Sequence, residues 1–265
     1  MEDTGEADVY NSTQEIILDL MEKNTLGIII PVYNEAENIG RTLRAIEANI
    51  RTPHTLHIVY DFDEDNTLPI ARTFLDEGLK LHFVKNPARG AVGAIKTGLR
   101  KAQEDYLLVS MADMSDDYSV VDDMCGLMDA GYDVVCGSRY MRGGKQIGGP
   151  LLKKTISRVA GLSLRYVTGV PTHDATNSFK LYRKSMLDTM EFESDGGFEI
   201  GMEIVVKAHF SGFKVTEIPC TWTDRAEGKS RFRIIEWAPK YLKWYLYALT
   251  HAFRKKVPES GSRAR

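Results

Sequence analysis

The chain predicts an α/β fold built on a mostly parallel sheet, and three observations carry that expectation. Short apolar runs recur at 26–30, 55–60, 79–84 and 106–111. Amphipathic segments of helical period separate them, at 36–49, 67–77 and 91–103. Polar, turn-forming residues follow the apolar runs, so the loops that close the strands should gather on one rim of one sheet, the face at which such folds bind ligands.

Taken in order, residues 1–23 read as an acidic lead with a short helix at about 13–21. The strand 26–30 stops at Pro31, which has no amide donor to offer a ladder, and Asn34 is placed to cap the helix 36–49 with Glu35 in its first turn. The strand 55–60 runs into Asp61, Asp63, Glu64 and Asp65, and the strand 79–84 into Lys85-Asn86-Pro87-Ala88-Arg89-Gly90, which opens the helix 91–103. The strand 106–111 leads into Asp113, Ser115, Asp116 and Asp117, then a helix near 119–130 and the strand 133–137. Gly143, Gly144, Gly148 and Gly149 mark an adaptable connection. Beyond it lie a helix 151–168, a strand 178–182, a helix 199–211 and a strand 213–218. A long helical segment, 234–253, is interrupted or restarted at Pro239. The expected division is therefore 1–23 as lead, 24–233 as the catalytic domain, 234–257 as a C-terminal amphipathic helix and 258–265 as a tail.

A chain of 265 residues with 43% hydrophobic content can bury a substantial core. The formal charge of −3 argues against a general nucleic-acid binder. Cys125, Cys136 and Cys220 are odd in number, widely spaced and flanked by apolar residues, which fits buried thiols in a reducing compartment. No window reaches about 18 uninterrupted apolar residues, and the acidic start has no signal segment, so a cytoplasmic protein is expected. In the terminal helix Trp237, Tyr241, Trp244, Tyr245 and Tyr247 alternate with Lys240 and Lys243, a composition suited either to peripheral contact with membrane lipid or to core packing or dimer contact.

Chemistry concentrates at the strand ends. A magnesium or manganese ion that bridges a diphosphate needs only one or two protein oxygens, and Asp113, directly after an apolar strand, is the first candidate, with Ser115 able to add an oxygen or hold a ligating water. Asp116 and Asp117 suit capping of the following helix as well as metal binding. Arg89 and Gly90 open a helix, where backbone and guanidinium can meet a diphosphate. Lys154 and Ser157 share an i,i+3 face able to hold phosphate.

The segments Ile30-Pro31-Val32-Tyr33-Asn34-Glu35, Arg89-Gly90, Ala112-Asp113, Gly137-Ser138-Arg139-Tyr140 and Asp224-Arg225-Ala226-Glu227-Gly228-Lys229-Ser230 occur in the order seen in family 2 glycosyltransferases. Over about residues 24–240 the chain resembles the polyprenyl-phosphate glycosyltransferase branch of that family. The resemblance implies a GT-A fold, a nucleoside-diphosphate sugar as donor, Mg2+ or Mn2+ as cofactor, and inverting transfer of a hexose, mannose by analogy, to a polyprenyl phosphate. It places Pro31, Tyr33, Glu35 and Asp61 beside the nucleoside, Arg89 and Gly90 at the phosphates, and Ala112, Asp113 and Ser115 in the metal loop. It makes Asp113, Arg139 and Arg225 the catalytic candidates and assigns the acceptor phosphate to Arg139, Lys154, Ser157, Arg225, Lys229 and Arg231. Asp174 is placed to orient Arg139 or another active-site group, and Glu199 with Glu203 either to orient acceptor groups or to face solvent.

Two positions depart from the family pattern. Relatives commonly read Asp-Ala-Asp where this chain has Met111-Ala112-Asp113, and Val-Asp-Asp-Gly-Ser where it has Val59-Tyr60-Asp61-Phe62-Asp63. Metal affinity and donor choice are the properties these changes touch. The alternatives to the leading expectation are a glycosyltransferase acting on a saccharide or other hydroxyl acceptor with UDP-glucose or another donor, and a nonenzymatic nucleotide-sugar sensor.

Overall fold

The computed structural model describes residues 24–224 and 234–256. The lead with its expected helix at 13–21 and the tail 258–265 lie outside them. In chain order the strands are β1 (Leu26–Pro31), β2 (His54–Tyr60), β3 (Leu81–Lys85), β4 (Tyr106–Val109), β5 (Val134–Ser138), β6 (Lys145–Ile147), β7 (Lys180–Arg183), β8 (Val215–Pro219) and β9 (Thr221–Thr223). The helices are α1 (Ala36–Asn49), α2 (Thr67–Asp76), α3 (Gly90–Lys101), α4 (Val121–Asp129), α5 (Leu151–Thr168), α6 (Lys184–Leu187), α7 (Ile200–Phe210) and α8 (Ile234–Lys256).

Seven strands form one sheet in the order β3-β2-β1-β4-β7-β5-β8. All neighbours are parallel except β7, which runs antiparallel to both β4 and β5. That reversal brings Lys180, at the start of β7, opposite Val109 and Cys136 near the ends of β4 and β5. The segment feeding β7 therefore enters at the same rim from which β1, β2, β4 and β5 leave.

Strands β1, β4 and β5 are buried almost throughout, as helices on both faces require. Alternation sorts their side chains between two cores. Ile29, Val109 and Cys136 pack with residues of α3, α7 and α8; Ile28, Ile30, Leu108 and Val135 pack with residues of α1, α2 and α4. The three cysteines are buried free thiols.

Several expectations change. The strand 106–111 ends at Val109, because Ser110 Oγ and the Met111 amide turn to donate to the Asp116 carboxylate. The glycine-rich connection contains β6, which pairs with β9 in a small parallel sheet. Three-residue strands carry no readable period, so neither was expected. Helix α8 continues through Pro239 rather than breaking there.

The aromatics of α8 also take a different place from a membrane interface. Trp244 is buried, donates Nε1–H to Ser194 Oγ at 3.0 Å, and carries the ammonium groups of Lys207 and Lys243 over its ring. Trp237 lies edge-on to Phe198, and Tyr245 Oη donates to Ser163 Oγ at 2.9 Å. Indole and phenol groups gain hydrogen-bond partners inside the fold, and it is aliphatic and Phe side chains, Leu242, Leu246 and Phe253, that α8 leaves exposed. Among the described residues no helix is long and apolar enough to cross a membrane.

Candidate active site

The nucleoside end of the rim is built by the turns after β1 and β2. Asn34 sits at φ 55° and does not cap α1, so that expectation is corrected. The N-cap residue is Glu35, without a side-chain cap bond, and the acceptors come from across the cleft. Asp65, buried, accepts the Asn34 amide at 3.0 Å and the Thr67 amide at 2.9 Å. Thr67 Oγ1 accepts the Glu35 amide at 2.9 Å, and Asn66 Oδ1 accepts the Ala36 amide at 3.4 Å. These bonds satisfy helix-terminal donors that would otherwise lack partners and pin the Pro31–Glu35 turn to the next loop. Glu35 Oε2 accepts from Asn38 Nδ2 at 2.9 Å, and Tyr33 projects an exposed ring against Phe62.

Asp61 and the Arg89-Gly90 pair come together. Asp61 Oδ2 accepts the Gly90 amide at 2.8 Å and Oδ1 accepts from Asn86 Nδ2 at 2.7 Å. Arg89 holds φ 56° and Gly90 φ 78° at the start of α3. The left-handed region costs a side chain more than it costs glycine, so the bonds that hold this turn offset strain at Arg89.

Ala112, Asp113 and Ser115 are buried in the loop after β4. The Ala112 carbonyl accepts Thr42 Oγ1–H at 2.9 Å, and Asp113 Oδ1 accepts the Ser115 amide at 3.2 Å. The Ser115 carbonyl accepts the Thr223 amide at 3.1 Å, which ties the loop to β9. Asp117 caps the turn before α4 through the Ser119 amide and also accepts the Thr221 amide, so its carboxylate is structural. Asp116 is half-buried; burial, together with the neighbouring Asp113 charge, pushes its carboxyl up to about 7 against the bonds from Met111 and Ser110. No group of three or more acidic, histidine or cysteine side chains suited to a metal occurs among the described residues. Asp113 as one hard carboxylate beside the Ser115 hydroxyl fits an Mg2+ or Mn2+ ion shared with a diphosphate, whose oxygens and waters complete the shell; the pair does not fit an ion held by protein alone.

The end of β5 carries the opposite charge. Arg139 forms a bidentate pair with the fully buried Asp174, Nε to Oδ2 at 2.6 Å and Nη2 to Oδ1 at 2.8 Å. Nη2 also reaches Ser157 Oγ at 3.1 Å and Thr176 Oγ1 at 3.2 Å. Burial opposes the charge, but the Asp174 carboxylate more than compensates and holds the guanidinium above its ordinary range. Arg139 is thus a braced cation rather than a free one. It lines a cavity of about 460 Å³ together with Tyr140, Arg142, Lys145, Lys154 and Arg158. Lys154 Nζ donates to the Gln146 carbonyl at 3.2 Å, and Tyr140 Oη to Ser157 Oγ at 3.1 Å.

Glu199 and Glu203 do not face solvent. Both are fully buried and accept main-chain amides, Glu199 from Gly196 and Gly197, Glu203 from Glu193 and Ser194. They fold the loop before α7.

Residues 27–190 match the family model described as Glycosyl transferase family 2. The chain belongs to that family. It is 28% identical over 229 residues to the polyprenol monophosphomannose synthase of Mycolicibacterium smegmatis, a match covering 79% of this chain and 85% of that protein. It is 29% identical over 213 residues to the dolichol-phosphate mannosyltransferase of Pyrococcus furiosus, covering 78% of this chain and 59% of the relative's length. A crystal structure of glucosyl-3-phosphoglycerate synthase from Mycobacterium tuberculosis, in complex with Mn2+, UDP and glucosyl-3-phosphoglycerate, gives a TM-score of 0.63 at 15% identity over 90% of this chain and 82% of that one. At that identity the likeness establishes the GT-A fold alone.

Within this glycosyltransferase, Pro31, Tyr33, Glu35, Asp61, Arg89, Gly90, Ala112, Asp113 and Ser115 occupy the β1–β4 side of the rim, and Arg139, Lys154 and Ser157 the β5–α5 side. Arg225, Lys229 and Arg231 lie outside the described residues. Sequence reasoning missed Arg142 and Lys145 as cavity cations, although they flank the glycines it singled out, while Arg158 stands on the same helix end as Lys154 and Ser157. It also missed Asp65, whose acid-rich loop was visible but whose amide partners lie 31 residues upstream.

Proposed function

We propose that the protein moves a hexosyl group, mannose by analogy with its named relatives, from a nucleoside-diphosphate sugar to a polyprenyl phosphate, inverting C1. The observation that carries this is the cavity at Arg139. Among the described residues five cationic side chains and no carboxylate line it, a composition matched to a phosphomonoester. Helix α5 begins at its edge and leaves Leu151, Leu152, Ile156 and Val159 exposed, 78% in the case of Leu151. With Leu242, Leu246 and Phe253 of the adjoining α8, these side chains offer an apolar bed for a lipid chain or a membrane surface, so peripheral contact with the cytoplasmic face belongs to the same proposal.

The chemistry follows from charge. A phosphate monoester is largely dianionic at neutral pH and attacks as it stands, so no side chain has to remove a proton from it. An acceptor oxygen forms the new bond to C1 while the C1–oxygen bond to the leaving diphosphate breaks, and its electron pair departs with that diphosphate. Arg139, held by Asp174, and Lys154 align the attacking phosphate. Asp113 with Ser115 would hold a divalent cation that neutralises the departing diphosphate. Arg89 and the Gly90 turn lie on the donor side, locked by Asp61.

The test is transfer of labelled sugar from GDP-mannose or UDP-glucose, with Mg2+ or Mn2+ and a lipid extract. Label entering the organic phase, and its sharp loss in Arg139→Ala, is the expected result. Label appearing only in water-soluble saccharides favours a hydroxyl acceptor, and binding without turnover favours a sensor; either overturns the proposal.

A further inference from the structure

Lys180 is a fully buried lysine at the start of β7. Its partners across the sheet, Val109 and Cys136, both face the core beneath α3, α7 and α8, so its side chain enters that apolar side. There Nζ donates to the Ala175 carbonyl at 3.2 Å and packs against α7 at Gly201, where an added Cβ would lie 3.4 Å away. Burial lowers the ammonium from the ordinary lysine range and pushes the neighbouring Cys136 and Cys220 thiols up, so the thiols stand neutral beside it. Withdrawing an ammonium from water costs more than one hydrogen bond to a carbonyl returns, and an apolar side chain of similar length would serve the core better. A cation kept at a cost to the fold points to a role at the site.

That role lies with Arg139. Ala175 stands between Asp174 and Thr176, the two residues of this segment that touch Arg139 Nη2. Asp174 also accepts the Arg139 amide at 3.0 Å, so the place of the segment fixes both the backbone and the guanidinium of Arg139. An Arg139–Asp174 pair by itself is electrically neutral and offers a phosphate no net charge. Burial would raise the Asp174 carboxyl, but the charge and hydrogen bonds of Arg139, joined by the charge of Lys180, hold it below the ordinary range. Two cations thus share one carboxylate, and a net positive charge is left where low dielectric and exclusion of salt keep it unscreened.

We propose that Lys180 is a positioning residue for the acceptor phosphate: its ammonium fixes the segment 174–176 through the Ala175 carbonyl and balances Asp174, so that Arg139 meets the phosphate with its charge uncancelled. The inference deepens the proposed function and rests on it for the phosphate acceptor.

The test titrates the full chain calorimetrically with geranyl phosphate, and separately with GDP and Mn2+, in the wild type, Lys180→Met and Lys180→Gln, with a urea midpoint measured for each. Met removes both charge and donor, whereas Gln removes the charge and keeps a donor for the carbonyl. Both substitutions weaken geranyl phosphate roughly tenfold, the scale of one charge-assisted interaction. Both leave GDP unchanged, and Lys180→Met is at least as resistant to urea as the wild type. In turnover the same two variants raise the acceptor KM and spare the donor KM. Wild-type affinity for geranyl phosphate in either variant reduces Lys180 to a support of the loop and overturns the proposal, as does a fall in the Lys180→Met urea midpoint or a loss of GDP affinity. Wild-type protein that does not bind geranyl phosphate overturns the acceptor reading itself, so the two failures are distinguishable.

Discussion

Arg139 and Asp174 set the terms at the scale of single residues. A buried, bidentate ion pair gains its Coulomb energy only while both partners are present, and removal of one leaves an uncompensated charge that typically costs about 3–5 kcal/mol. Asp174→Ala is therefore expected to lower the unfolding free energy by about that amount, read from denaturant midpoints at constant slope. Arg139→Lys keeps a charge but cannot make both Nε and Nη2 bonds to Asp174, and transfer should fall at least about tenfold, in the range of one lost charge-assisted hydrogen bond. Both residues were legible in the sequence, since a cation after a strand end and an acid in the return segment are local patterns. The pairing of the two came only from the family resemblance and not from local pattern, because β7 must run backwards through the sheet to bring Asp174 to the end of β5.

Among elements, what matters is how closely α5 and the loop 172–176 approach. A Cβ at Gly161 would lie 2.1 Å from the His173 carbonyl, so this helix meets that loop through bare backbone. Gly161→Ala should push α5 away from Thr176 and Asp174, lowering both thermal stability and acceptor affinity; an unchanged melting temperature and KM would contradict that packing. A second inter-element tie joins β2 to the turn before β4, where His57 Nε2 lies 3.0 Å from Glu104 Oε2. Burial alone would raise the Glu104 carboxyl, but the hydrogen bond with His57 and nearby donors outweigh it and hold the group at about 2. A carboxyl depressed in the folded state stabilises the protein above its unfolded value near 4.5, and that contribution disappears as pH falls from there towards 2. Glu104→Gln should cost about 2 kcal/mol at pH 7 and progressively less below pH 4, measured by urea unfolding at each pH. The elements themselves were largely readable from apolar period, with α1 and α5 matching their expected bounds. The small β6–β9 sheet and the one-turn α6 were not, since three or four residues show no period and owe their shape to tertiary hydrogen bonds.

For the whole molecule, the sheet sorts charge by position: acids at the ends of β2 and β4, cations around the end of β5 and the start of α5. Exposed apolar side chains of α5 begin at the cationic end, and the sequence concealed them by drawing attention to the aromatics of α8, of which Trp244 lies in the core and Tyr241, Tyr245 and Tyr247 pack against it. Vesicles containing anionic lipid should therefore sediment the wild type, and Leu151→Asp combined with Val159→Asp should abolish co-sedimentation while nucleotide binding survives; co-sedimentation untouched by these changes would remove the surface from consideration. The acceptor itself is decided by supplying one polyprenyl chain in two forms, the phosphate and the free alcohol, with the same labelled sugar donor. A cavity whose described lining is cationic predicts label on the phosphate form alone, lost in Arg139→Ala; label on the alcohol, or equal labelling of both, would contradict a site built for a phosphate nucleophile.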